Sequence, residues 1–302
     1  MTHTQPEATS APSETPGKAV VNGERKYHNT DAPYSLMSGV DKREEERLNA
    51  QHYGIKDYFG GNNCGAPWPA HPKKILEIGC GHGVWAREVC EQFPEAQVVG
   101  VDIVDAVKNR PSNFSFQRLN VIKDTWPFPL GSFDIVHCRF VALHVQNFKT
   151  LVERAIEATA PGGILMFEDQ DQQLRADGKP LPYPAHYAFS VFHSFGHMAG
   201  VDSYAAPLIA PIILGTRQFD ELHQEIVPAP MGPWTDNPKL HAIGEGIRTG
   251  LIEGAKTLNP VLFEYGMTQD NIDGVVKAME NSEHRLYMDQ YFIWARKKSS
   301  RL

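Results

Sequence analysis

Lys74-Ile75-Leu76-Glu77-Ile78-Gly79-Cys80-Gly81-His82-Gly83, followed at a distance by Val99-Gly100-Val101-Asp102, is the stretch that decides the fold. A short apolar run ends in a glycine-rich turn, a helix-compatible segment covers Val84 to Phe93, and a second apolar run ends in a carboxylate. That order predicts a βαβ unit with a ligand site at its mouth. Asp102 falls 19 residues after Gly83, a spacing that suits an acid gripping a ribose diol from the tip of the second strand. A dinucleotide fingerprint would read G-x-G-x-x-G. Here Gly79, Gly81 and Gly83 follow G-x-G-x-G instead, and position 84 is valine.

Working outward, the chain alternates strands and helices. The pattern predicts strand Lys74–Ile78, helix Trp85–Phe93 and strand Gln97–Asp102. A weak strand Phe114–Leu119, strand Phe133–Cys138, helix Lys149–Ala158 and strand Ile164–Glu168 follow. Such βα alternation means a mostly parallel sheet covered on both faces. Upstream, Leu48, His52, Ile55 and Phe59 recur at helical spacing beside the charged run Asp41–Arg47, which predicts an amphipathic helix ahead of the core. Residues 1–26, rich in Pro, Ser and Thr, read as a disordered tail. The remainder reads as one domain over 27–302. It divides into an N-terminal helix and loop (34–70), a core (71–170), an inserted helical lid (171–218) and the C-terminal part of the sheet (219–302), closing on Leu286–Trp294.

Bulk properties bound the function. The 302 residues are 41% hydrophobic and carry a formal net charge of −7, which argues against a non-specific grip on nucleic acid or anionic lipid. No apolar run approaches the roughly 20 residues that span a bilayer, and Met1–Gly17 lacks the features of a signal peptide. Cys64, Cys80, Cys90 and Cys138 show no C-x-x-C pairing, so reduced thiols in a cytoplasmic protein are expected.

The glycine pattern, with an acid two residues before its first glycine, resembles motif I of the class I S-adenosylmethionine methyltransferases. Pro127-Phe128-Pro129-Leu130-Gly131-Ser132-Phe133-Asp134-Ile135-Val136 resembles the "lPFpdgSFDvV" stretch of that family, and Pro161-Gly162-Gly163-Ile164-Leu165 its "kPGG-l-" turn. Tyr34-Ser35-Leu36-Met37 and Glu46-Arg47-Leu48-Asn49-Ala50-Gln51-His52 are similar to the N-terminal helix of the fungal LaeA-like branch. The resemblance spans about residues 34–170.

It implies a Rossmann-like class I sheet with an antiparallel closing strand, and S-adenosylmethionine as cofactor with S-adenosylhomocysteine as its product. By the same resemblance, Glu77, Gly79, Gly81 and Gly83 hold the methionine part. Asp102 holds the ribose and Ile103 packs on the adenine. Asn120 and Val121 lie near the adenine amino group, Asn120 offering its side-chain carbonyl as acceptor. Cys138 and Arg139 line the floor beside the sulfonium. Tyr34, Arg47, Gln51 and His52 are candidates to fold over the cofactor, against a plain capping role for Gln51 and His52.

Methyl transfer from a sulfonium is an in-line displacement whose main demand is alignment and exclusion of water. A base helps when the acceptor is a hydroxyl. His144, in Leu143-His144-Val145 just past the fourth core strand, matches the family's "LhHv" segment and is the best base candidate, against a structural hydrogen bond. His137, inside a strand, reads as a packed core residue. Glu168, Asp169 and Asp171 cluster at the end of the fifth core strand, where Glu168 is the second catalytic candidate and Asp169 a substrate contact, against solvated loop acids. His186, Ser190, His193 and His197 recur along one helical stripe, with Phe189, Phe192 and Phe195 nearby. The stripe is expected to face substrate, against simple core packing. The rival of metal ligation by His193 and His197 lacks both an H-E-x-x-H pattern and a cysteine pair.

The expectation is a methyltransferase acting on O or N of a small, partly aromatic or apolar metabolite of fungal secondary metabolism, with no metal, membrane or nucleic-acid partner. The oligomeric state is left open. The alternative is a LaeA-like regulator working through nuclear protein complexes. A third option, a fold that uses the sulfonium only to steer a rearrangement, stays open.

Overall fold

The computed structural model describes residues 20–22, 25–27, 42–255 and 261–299. Its frame is a sheet in the order β5 (Phe114–Arg118), β4 (Gln97–Asp102), β3 (Lys74–Ile78), β6 (Phe133–Arg139), β7 (Thr159–Gln170), β10 (Leu286–Lys297), β9 (Phe219–Pro230). The two-residue β8 (Arg175–Ala176) pairs with the start of β10 beyond the end of β7. Strands β3 to β7 run parallel, and β10 is antiparallel to both its long neighbours.

The central strands β3, β4, β6 and β7 are largely apolar on both sides because both faces are covered. Leu76, Ile78, Val136, Leu165 and Phe167 pack towards α3 (Phe148–Ala158) and α5 (Ala205–Gly215). Ile75, Val98, Ile135 and Ile164 pack towards Trp85 and Val89 of α2 (Val84–Gln92). The chain leaves β3 for β4 on one side and returns to β6 on the other, so a crevice opens beyond the carboxyl ends of β3 and β6.

The expected N-terminal helix is α1 (Lys42–Tyr58), and it buries His52 and Ile55. It crosses α6 (Pro238–Ala255) at close range. A Cβ on Gly246 would stand 2.6 Å from the Ala50 carbonyl oxygen, and one on Gly54 2.6 Å from that of Ala242.

Four features differ from the sequence reading. Largely within the stretch expected to be disordered, β1 (Val20–Asn22) and β2 (Arg25–Tyr27) pair antiparallel. Beyond the antiparallel closing strand β10 stands a further edge strand, β9, which went unrecognised because Asp220, Glu221 and Gln224 along it are solvated. The 171–218 segment is two things. Helix α5 is core, burying Ile209 and Ile213 against the sheet, and only α4 (Tyr183–Met198) lies over the crevice. Finally, 219–302 holds more than sheet: α6, α7 (Val261–Glu264) and α8 (Gln269–Glu280) join α1 and α4 in a second apolar cluster above the strand ends.

Candidate functional site

Between that helical cap and the carboxyl ends of β3, β4 and β6 lies a cavity of about 310 Å³, within the range of small-molecule sites. Its two ends differ in chemistry.

The sheet end is polar. Gly79 donates its N–H to Val101 O at 2.8 Å, and Gly83 closes the turn on Cys80 O at 2.8 Å. Gly79, Gly81 and Gly83 have φ of 72°, 51° and 73°, the left-handed region that glycine enters without steric cost. Asp102 accepts the Gly81 N–H at 2.9 Å on Oδ2 and the Val104 N–H at 3.2 Å on Oδ1, tying the turn to the tip of β4. Burial raises Asp102 above its ordinary range, against the pull of those backbone donors. Glu77 is buried and lines the cavity, and its Oε2 has no hydrogen-bond partner. Burial pushes it up to about 8, with the Arg139 charge pulling it down and the Asp102 charge adding to the rise. An unpartnered buried carboxylate oxygen is costly unless a cation meets it.

Ile103, Asn120, Val121, Arg139 and Gln51 line the same end, as do Arg47 and His52. Gln51 accepts from Arg47 Nη1 at 3.1 Å, and Arg139 Nη2 donates to His52 Nδ1 at 2.8 Å. Burial, with Arg139 opposite, lowers His52 to about 4. Asn120 departs from expectation. Its Oδ1 already accepts the N–H groups of Ile122 and Lys123 at 3.0 and 3.1 Å, so that carbonyl is not available to an adenine amino group.

The cap end is apolar, with Phe189, Phe192, Ile247, Met267, Val275 and Met288 on its wall. His144 and Leu143 stand where the two ends meet, on the 3₁₀ turn Ala142–His144. Burial, with the Arg47 charge adding, lowers His144 to about 3, so the ring is neutral at physiological pH.

Several expected site residues lie elsewhere. Gly83 shapes the start of α2 but is not on the cavity wall. The Cys138 side chain alternates to the opposite sheet face and sits in the α3/α5 core, fully buried. Glu168 is 3% exposed and held by Arg139 Nη1 (3.4 Å) and His137 Nε2 (3.5 Å), behind the cavity rather than in it. Burial would raise it, but those partners hold it below its usual range. Asp169 accepts the N–H of Ala142 at 2.9 Å and of Gln170 at 2.9 Å, clamping the turn that carries His144. Asp171 is buried in an ion pair with Arg175. Of the helical stripe, His186, Ser190 and His197 are exposed, while His193 Nε2 donates to Gln172 O at 2.8 Å. Of that segment, Ala188, Phe189 and Phe192 line the cavity. Tyr34 lies outside the described residues.

Sequence reasoning missed Gln170, Gln172, Ile247, Met267, Val275 and Met288. The helical period of α6 and α8 was there to find, but nothing local says that an apolar stripe covers a cavity rather than a sheet.

The sheet order, the glycine turn and the acid at the tip of β4 define a class I, Rossmann-like methyltransferase fold. A methyltransferase-domain family model matches residues 56–200. Methyltransferase str3 of Strobilurus tenacellus is 35% identical over 76% of this chain and 82% of its own. The secondary metabolism regulator LAE1 of Cochliobolus heterostrophus is 24% identical over 87% and 89%. Among solved structures, phosphoethanolamine N-methyltransferase 2 of Haemonchus contortus, in complex with phosphomonomethylethanolamine and S-adenosylhomocysteine, has TM-score 0.50 at 20% identity, covering 82% of this chain and 53% of that one. The chain belongs to the methyltransferase family, and the methyl donor of that family is S-adenosylmethionine. No helix among the described residues is long and apolar enough to cross a membrane.

Proposed function

We propose that the cavity binds S-adenosylmethionine at its sheet end and a small, partly aromatic or apolar metabolite of secondary metabolism at its cap end, and that the methyl group goes to oxygen or nitrogen. The observation that carries this is the two-ended wall: the unpartnered Glu77 oxygen, the glycine turn and Asp102 at one end, and an aromatic and aliphatic lining at the other.

The residues fit the cofactor. Glu77 meets the ammonium group, the backbone of Gly79 and Gly81 runs beside the methionine part, Asp102 accepts the ribose hydroxyls, and Ile103 and Val121 flank the base. Arg139 and Gln51 close this end. When bound, S-adenosylmethionine supplies an electrophilic methyl on a sulfonium. The chain itself aligns the acceptor and keeps water out, effects worth about 7–11 kcal/mol in favourable systems. Phe189 and Phe192 exclude water, and neutral His144 accepts a hydrogen bond from the acceptor and orients its lone pair. A ring lowered to about 3 is a weak proton acceptor, which suits an acceptor that ionises readily. The four buried, unpaired cysteines support a reducing, cytoplasmic location.

Mass spectrometry after incubation with S-adenosylmethionine and a panel of phenols, carboxylic acids, amines and thiols tests this. A product one CH₂ heavier is expected from an apolar oxygen or nitrogen acceptor. The similarity to LAE1 favours a second reading, a regulator acting in protein complexes. Stable partners recovered without turnover on any panel member would decide for it.

A further inference from the structure

Behind the cofactor wall runs a polar chain that the acceptor chemistry leaves unused. Glu77 on β3 is the register partner of His137 on β6, and Arg139 on β6 that of Glu168 on β7, so all four share the sheet face covered by α2. His137 is fully buried, its ring stacked on Trp85 at 3.9 Å and 16°. Its Nδ1 lies 3.9 Å from Glu77 Oε1 and its Nε2 3.5 Å from Glu168 Oε2. From Glu168 the chain passes through Arg139 to His52 on α1. His52 Nε2 lies 3.2 Å from Glu88 Oε2 on α2, and Glu88 holds Lys56 Nζ at 2.6 Å. One line of ionisable groups therefore runs from the carboxylate in the cavity wall to the helix whose Arg47, Leu48 and Gln51 cover that cavity.

We propose that His137 and Glu168 are positioning residues for the amino-acid end of the cofactor. Acting through Glu77 and Arg139, they set how strongly the cavity prefers a nucleoside with an ammonium group over one without, and they seat α1 on it. This rests on Glu77 meeting the ammonium, as proposed above. When a cation meets Oε2, Glu77 is held as an anion, and its other oxygen is buried beside the His137 ring. The ring, wedged by Trp85, is a side chain able to donate to it after a small approach from 3.9 Å, beside the Ala86 N–H that already bonds this carboxylate. Burial lowers the His137 pKa, and anionic Glu168 on the far side pulls it back up, towards a ring bearing the proton that this requires. Without His137 the carboxylate keeps only the Ala86 N–H of α2 on its inner side, and the ammonium finds a less firmly ionised partner.

The test is calorimetry on the full chain with S-adenosylhomocysteine and with 5′-methylthioadenosine, the same nucleoside thioether without the amino acid. Wild type is expected to prefer the former by about 100-fold, the scale of charge-assisted hydrogen bonds. His137→Phe keeps the ring against Trp85 and should cut that preference at least tenfold, leaving methylthioadenosine affinity within twofold. His137→Asn, which puts an amide nitrogen near the Nδ1 position, should restore most of it. Glu168→Gln, neutral and of the same shape, should give a smaller loss in the same direction and decides the matter if His137→Phe does not fold. Hydrogen exchange over residues 42–58 should slow with S-adenosylhomocysteine in wild type and not in His137→Phe. A preference left unchanged, or both affinities falling together as for a ring that only packs, overturns the proposal. Wild type that binds neither nucleoside overturns the cofactor assignment itself.

Discussion

At the scale of single residues, Asp102 both closes the glycine turn and faces the cavity. Asp102→Ala removes two acceptors of charge-assisted hydrogen bonds, each worth about 1.5–3 kcal/mol. S-adenosylhomocysteine affinity should fall at least about 100-fold in calorimetry, and unchanged affinity would remove the ribose assignment. Glu77 gives a pH signature. Its folded pKa, about 8, lies above the ordinary 4.5, so the native state keeps a proton that the unfolded chain has lost. That contribution to stability is complete below 4.5 and disappears as pH rises through 8. Binding an ammonium runs the other way, because the carboxylate must ionise. Affinity should therefore climb towards pH 8, by up to about tenfold per unit well below it, and lose that slope in Glu77→Gln. His144→Ala should slow turnover about 100-fold with S-adenosylhomocysteine affinity within twofold; wild-type rates at every pH would strike His144 from the chemistry. Glu77, Gly79, Gly81 and Asp102 were legible in the sequence because a strand, a turn and an acid at fixed spacing need no distant partner. Cys138, Glu168 and Asp169 were not. Along a strand adjacent side chains point to opposite faces, and only the neighbouring strands reveal which face carries the site.

Between elements, the crossing of α1 and α6 bears on binding because α1 carries Arg47 and Gln51. Gly246→Ala would set a methyl 2.6 Å from the Ala50 carbonyl oxygen. The helices must part, at a cost of about 1–3 kcal/mol. A lower Tm accompanied by weaker nucleoside binding is expected, whereas a lower Tm alone would detach α1 from the cofactor end. The parallel strands were readable as apolar runs, and α1 as a periodic one. Strand β9 was not, since its Asp220, Glu221 and Gln224 meet water and its partner β10 follows nearly sixty residues later. The inward turn of Phe189 and Phe192, with His186 and His197 left in solvent, was likewise hidden, because the stripe that looks functional on a helix depends on what packs against its other side.

For the whole molecule, a ligand that bridges sheet and cap stabilises only the folded state. S-adenosylhomocysteine at 100 times its Kd adds about 2.7 kcal/mol, which should raise Tm by about 4 °C in a chain of this length; a melting curve indifferent to it would place no such ligand in the cavity. Strand β10 inserts between β7 and β9, both made earlier, and the cap helices α6 and α8 hang from the chain just before it. The strands beneath the glycine turn can therefore pair with one another before β10 is made, but the apolar cap cannot take its seat. Until β10 threads into its gap between β7 and β9 the cavity has a floor and no roof, so an enclosed site waits on a strand that comes after both of its neighbours.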